Sequence, residues 1–234
     1  MPGVRLKYLL STFLFLLMLT ACSSSPPAST PVINNERKAL LSQILAESKN
    51  ITELYYEEVP VVSHYSGGIV IENTSKVWLK DNILKTEHIT KFNRNNELLE
   101  SEITGYIYNY DTLEHRRYYL GKYPQLAQSY SGRKVTEFLT PREQTILWYL
   151  DKIAPELSTL QEEEYEGELC FITEILKNNQ GSTKVWVSSV TGLPVKIQNN
   201  YNGNISERLY CNFKTGEGAV RPEDLAIPAG ALLL

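Results

Sequence analysis

The chain has 234 residues, 42% of them apolar, and its 23 basic and 27 acidic side chains give a formal net charge of −4. That length supports one domain with a sizeable core. The acidic balance leaves no footprint for nucleic acid and no basic patch for anionic lipid headgroups, so no nucleic-acid partner is expected.

The N-terminus reads as an address. "MPGVRLKYLL" carries Arg5 and Lys7 and no acid, and "STFLFLLML" adds an apolar run too short for an ordinary membrane span. Small residues then lead to Cys22 in Leu19-Thr20-Ala21-Cys22, so residues 1–21 are expected to be a signal peptide. "LTAC" resembles the bacterial lipobox. That resemblance implies a diacylglyceryl group on Cys22, which becomes the new N-terminus, and two acyl chains give lasting anchorage. Residues 22–33, the modified cysteine and "SSSPPASTPV", form a Ser/Pro tether that buries too little to fold. Without Arg5 and Lys7, 21 bases face 27 acids and the charge becomes −6. The expected location is extracytoplasmic, lipid-anchored to a bacterial cell membrane, with a single folded domain over 34–234.

That domain opens with "NNERKALLSQILAESKN", a helix with an asparagine cap and an apolar stripe of Leu40, Leu41, Ile44 and Leu45. From Ile51 the period changes to two. Val, Ile, Tyr and Thr dominate, and Gly67-Gly68, Asn73 and Asp81-Asn82 punctuate the run. Asp81-Asn82 suits a two-residue hairpin, and "ITGYIYNYDTLEHRRYYL" predicts another that turns at Asp111 to Glu114. "GKYPQLAQSYSG" suggests a short helix. "TPREQTILWYLDKIAPEL" predicts a longer one, with Thr140 as cap, Pro141 at the first position and Glu143 closing a capping box. Its apolar face is Ile146, Tyr149, Leu150 and Ile153, and Pro155 ends it. Strands return in "EEEYEGELCFITEILKN", "TKVWVSSV", "LPVKIQNNY" and "SERLYCNFK", with turns at residues 178–181, Thr191-Gly192 and Asn202-Gly203-Asn204. The tail "AVRPEDLAIPAGALLL" reads as mostly irregular. The expected fold class is α+β: a curved antiparallel sheet, an unclosed half-barrel, with helices packed in the concave face and a meander as the simplest topology.

Two stretches echo each other, "KVWLKDNILKTE" and "KVWVSSVTGLPVKIQ". Strand alternation sets Trp78 with Lys76 and Lys80, opposite Val77 and Leu79, and sets Trp186 with Lys184 and Ser188, opposite Val185 and Val187. Each tryptophan thus lies on the lysine side of its strand. With "YIYNYDT" and the closing "PEDLAIPAGA", these words resemble the LolA/LppX-like lipoprotein superfamily, which includes outer-membrane lipoprotein-sorting proteins. The matching positions are Trp78 and Lys80, Tyr108 to Thr112, Trp186 with Thr191 to Pro194, and Ile227 to Gly230. The resemblance spans most of residues 36 to 230. It implies an unclosed barrel holding helices, with an apolar cavity between. Soluble lipoprotein carriers must leave the membrane, whereas a lipidated Cys22 would tether this chain. A tethered member, the germination lipoprotein GerS, acts by binding a cell-wall amidase.

No catalytic signature emerges. His64, His88 and His115 lack metal-ligand spacing, and no HExxH, CxxC, GxSxG, P-loop or dinucleotide fingerprint occurs. The acidic run Glu162 to Glu168 lacks the alternating ligands of a cation loop and suits a solvated strand edge. No enzyme activity, metal or cofactor is expected. An extracytoplasmic site permits a disulfide between Cys170 and Cys211, but a meander would set them several strands apart, so two buried free thiols are the competing expectation. The fifteen tyrosines are the unusual feature. They suit strands on propensity alone; alternatively, Trp78, Tyr106, Tyr108, Trp148 and Trp186 line a groove for an acyl chain or a lipoprotein or peptide segment. A concave face filled by Ile146, Leu147 and Leu150 would exclude lipid carriage, and a continuous apolar pocket of several hundred cubic ångströms would support it. The alternative is an interaction module engaging a cell-wall enzyme such as an amidase.

Overall fold

The computed structural model describes residues 35–122, 140–153, 160–177 and 181–234. The signal, Cys22 and the tether lie outside them, as do most of the short helix expected from residue 121 and the turn at 178–180. Helix α1 (Asn35–Ser48) is followed by β1 (Glu53–Glu58), β2 (Val61–Tyr65), β3 (Ile69–Lys80), β4 (Ile83–Arg94), β5 (Glu97–Asn109) and β6 (Glu114–Leu120). Helix α2 (Leu147–Lys152) leads to β7 (Gln161–Tyr165), β8 (Glu168–Lys177), β9 (Gly181–Ser188), β10 (Pro194–Tyr201), β11 (Asn204–Thr215) and β12 (Leu232–Leu233).

The turns follow local chemistry. Asp81 takes a φ of 50° between β3 and β4, and Asn202 and Gly203 both take positive φ between β10 and β11, as a primed hairpin turn requires. Asn109 Oδ1 accepts the amides of Asp111 and Thr112, which turns β5 into β6.

Among the described residues twelve strands form one antiparallel sheet of order β12-β6-β5-β4-β3-β1-β11-β10-β9-β8-β7, with β2 off this path and paired to β3. The sheet is therefore two meanders, β3 to β6 and β7 to β11, joined where β1 pairs both β3 and β11. A simple meander would not have brought the first strand beside β11. Pro60 divides β1 from β2 because it lacks an N–H for the ladder. The sheet does not close: β6 and β7 lie toward opposite ends of the order, and α2 falls between them in the chain.

Cross-strand register separates the faces. One carries Leu54, Tyr56, Val77, Leu79, Leu84, Phe171, Val185, Val187 and Ile197, all buried. The helices cover this concave face through Leu41, Ile44 and Leu45 of α1 and Ile146, Leu147 and Leu150 around α2. Leu40, expected in the stripe, is exposed on the side of α1 turned from the core. The helix expected over 140–153 is interrupted. Its capping box forms, with Glu143 N 3.3 Å from Thr140 Oγ1 and Thr140 N 2.7 Å from Glu143 Oε2. It opens only a 3-10 turn, Arg142–Gln144, and Thr145 is extended at φ −111° and ψ 178°. The Thr145 hydroxyl then accepts Leu147 N–H at 3.2 Å and starts α2 afresh, a local bond that competes with helix continuation. Arg142 fastens the unit by donating to both Asp151 oxygens, at 2.7 and 2.9 Å, and to Ser48 O at the end of α1.

The opposite face settles where the tryptophans lie. Trp78 faces Lys85 across β3 and β4, and Trp186 faces Lys196 across β9 and β10. Each ammonium lies over its indole, at 4.9 and 4.7 Å, and 3.0 Å from a carboxylate, Glu87 or Glu207. The echoed words are two hairpins presenting the same Trp–Lys–Glu stack on the outer face. The tail, expected to be irregular, is a strap across this face. Glu53 Oε2 accepts Gly218 N and Val220 N, Lys80 donates to Val220 O, and Lys85 donates to Asp224 O and Ala226 O. The strap ends as β12, paired with Tyr118 and Tyr119 of β6.

The disulfide does not form. Cys170 is a buried free thiol and Cys211 a half-buried one. Two strands, β9 and β10, separate β8 from β11. Three steps of about 4.8 Å hold the cysteines far beyond the roughly 7 Å limit for a bridge.

Candidate functional site

The concave face is not filled evenly. Beside α2 a cavity of about 260 Å³ remains between residues 143–149 and β1, β3, β4 and β11. Alternation on these strands brings Tyr56 and Glu58, Ser75 and Val77, Thr86 and His88, and Arg208 and Tyr210 to the same side. Ile146, Trp148 and Tyr149 close it from the helix side. Ile146, Leu147 and Leu150 are at most 3% exposed, the packing expected to exclude lipid carriage. The space beside them is lined largely by polar groups, so it is not the continuous apolar pocket that carriage would need. Glu58 and Arg208 approach to 3.9 Å, and Ser75 Oγ lies 3.0 Å from His88 Nδ1. Desolvation lowers the His88 pKa, which favours the neutral imidazole, although the residue as a whole keeps some exposure.

From His88 an aromatic strip runs along the same face of β4, β5 and β6. Register places Thr86, Tyr106 and Arg117 in one row and Leu84, Tyr108 and His115 in the next. Tyr108 and His115 stack at 4.9 Å with planes 13° apart, and Tyr106 lies 6.2 Å from Tyr108 and from His88. Tyr110 continues the strip and accepts from Gln144 Nε2 beside the cavity. Burial raises the pKa of Tyr108, and of Tyr110 to about 12, so these phenols remain neutral donors. Desolvation and then the Arg117 charge lower that of His115. His115 Nε2 is buried and has no hydrogen-bond partner among the described residues.

No family model and no curated protein matches the chain. Among solved structures, it is similar to the crystal structure of a DUF1329 family protein from Desulfovibrio piger. The identity is 13%, over 77% of this chain and 92% of that one, with a TM-score of 0.31. A likeness that distant assigns neither ligand nor activity.

The five aromatics singled out in the sequence divide between two faces. Tyr106, Tyr108 and Trp148 lie on the concave side, and Trp148 borders the cavity. Trp78 and Trp186 belong to the outer face. Trp186 is 6% exposed among Cys170, Ile172 and Val195, and its Nε1–H donates to Glu163 at 3.2 Å. His88, His115 and Arg208 are the site residues that sequence reasoning missed. No signal in the sequence could have found them, because they lie on other strands than Tyr106 and Tyr108 and only register brings them together. No cluster of three or more His, Cys, Asp or Glu able to hold a metal occurs among the described residues.

Proposed function

We propose that this chain is a non-catalytic binding protein of the bacterial cell envelope, anchored through Cys22, that holds an apolar but not purely hydrocarbon ligand against its concave face. The observation that carries this is the strip of Tyr106, Tyr108, His115 and Tyr110, which adjoins the cavity under Trp148 and Tyr149 through His88 and Gln144. Such a surface offers ring faces for apolar contact and a few fixed polar atoms for orientation, the usual make-up of a ligand site. Glu58, His88 and Arg208 would be poor neighbours for a bare acyl chain. They suit a lipoprotein or peptide segment, to which His115 Nε2 would add a hydrogen bond. The test is tryptophan fluorescence of a chain carrying Trp78→Phe and Trp186→Phe, leaving Trp148, titrated with a synthetic peptide rich in apolar residues. A saturable change that Tyr108→Ala weakens by about tenfold supports the proposal. An unchanged spectrum refutes it.

A second reading, engagement of a cell-wall enzyme such as an amidase, is favoured by β2. This edge strand is uncharged, and Val61, Val62 and Tyr65 are 64, 50 and 56% exposed. Edge strands usually carry charge that discourages pairing, so β2 suits addition of a partner strand. On this reading Val62→Lys abolishes co-sedimentation with a purified amidase, and absence of co-sedimentation by the unaltered chain sinks it.

A further inference from the structure

A second cavity lies on the outer face, away from α1 and α2. It holds about 400 Å³ between the strap and strands β4, β5 and β6. Register lays two rows across those strands, Ile83, Asn109 and Glu114 in one and Lys85, Ile107 and Arg116 in the next. Ile83 and Ile107 make the floor, and Asn109, Glu114 and Arg116 the rim. Lys85 does not open into the space. It turns under the strap and holds the carbonyls of Asp224 and Ala226 at 2.9 Å, so the wall formed by Leu225 and Ile227 is fixed in place. Ile83, Ile107, Leu225 and Ile227 are each only half-buried around this space. A well-packed interior would have collapsed on such a group of apolar side chains.

The rim supplies the specificity. Arg116 and Glu114 stand on the same face of β6, with Nη2 and Oε2 3.5 Å apart and side chains 62 and 59% exposed. An ion pair so open contributes little to the fold and yields readily to a competing pair. The groove therefore offers one cation, one anion and the Asn109 amide above an apolar floor.

We propose that this outer groove binds a small zwitterion with an apolar side chain, of the free apolar α-amino acid type. Its side chain enters between Ile83, Ile107 and the strap, its carboxylate receives the Arg116 guanidinium, and its ammonium donates to Glu114. An α-amino acid carries its two charges on one carbon, a spacing matched to rim groups a few ångströms apart. The site is distinct from the concave face in place and in ligand chemistry, and either can fail without the other.

The test is isothermal titration of the full chain, in mild detergent, with L-leucine and L-phenylalanine. N-acetyl-leucine, which lacks the ammonium, and leucinamide, which lacks the carboxylate, are the comparators. Both amino acids are expected to bind, and each blocked analogue to bind at least about tenfold more weakly, because it leaves one rim charge unanswered. Arg116→Gln should erase the preference for leucine over leucinamide, and Glu114→Gln that for leucine over N-acetyl-leucine. No binding of either amino acid up to roughly 10 mM would overturn the proposal, since the affinity would then be below about 3 kcal/mol. N-acetyl-leucine binding as tightly as leucine would also overturn it, and would make the groove a site for anionic amphiphiles.

Discussion

Lys85→Met probes the strap most sharply. The ammonium has three N–H donors and uses all of them, on Glu87 Oε1 at 3.0 Å and on the carbonyls of Asp224 and Ala226 at 2.9 Å. Lys85 is 4% exposed and Glu87 7%. Methionine keeps most of the stem and removes the charge, leaving the Glu87 carboxylate buried with the Tyr118 hydroxyl, 2.5 Å away. Removing one member of a buried pair costs about 3–5 kcal/mol. The lost stacking of the ammonium over Trp78 adds about 0.5–1 kcal/mol. The strap carbonyls add little, because Ala226 is exposed and water can replace the lost donor. The expected loss is about 4 kcal/mol, read as a lower urea midpoint and a melting temperature lower by roughly 10 °C. Lys85→Met with Glu87→Gln should recover about 1.5 kcal/mol or more relative to the summed single losses. A single-mutant loss below about 1 kcal/mol, or strictly additive losses, would refute the reasoning.

Three further outcomes follow from the packing and charges. Gly105→Ala would set a Cβ 2.0 Å from the fully buried Tyr118 ring, so urea unfolding should register a loss of about 1–3 kcal/mol or more, and an unchanged midpoint would contradict the contact. The hydrogen bond from Lys80, and then that from Val220 N–H, hold the Glu53 carboxyl below the usual carboxylate range. A depressed pKa contributes stability above the unfolded value that is lost as pH falls through the folded one. Protection factors for amide exchange at Gly218 and Val220, taken against the intrinsic rate at each pH, should therefore fall in acid in the native chain, and Glu53→Gln should remove that fall. Burial, then the carboxylates of Glu168 and Glu163, push the Cys170 thiol up to about 11. At about pH 8 iodoacetamide should modify it only on unfolding, and a mass lighter by two hydrogens without reductant would contradict free thiols.

Much of the sheet was legible because its signals are local. Asp81-Asn82 and Asn202-Gly203 fix hairpins through backbone conformations that few other residues accept. Alternation alone put both tryptophans opposite the valines, and it held because β3 and β9 run straight through those positions. What stayed hidden is long-range. The strap depends on Lys80 and Lys85 meeting carbonyls some 140 positions away, and nothing in "PEDLAIPAGA" announces that. Pairing of β1 with β11 is equally remote, and the bulge at Asn212, with φ 57°, shifts its register. The break at Thr145 is a contest between a hydroxyl and a helical turn that periodicity does not register. For the candidate site, Tyr106 and Tyr108 were visible as an alternating pair. Only the register across β4, β5 and β6 brings His88 and His115 to them and sends Trp78 and Trp186 to the other side.

The central claim is that the concave face holds a ligand. Native mass spectrometry of the full chain, extracted from membranes in mild detergent, tests it most directly. The account predicts a co-purifying apolar species that is lost when Tyr108 and Trp148 are both replaced by alanine. A bare chain under conditions that keep it folded, or an adduct indifferent to those two substitutions, would contradict it.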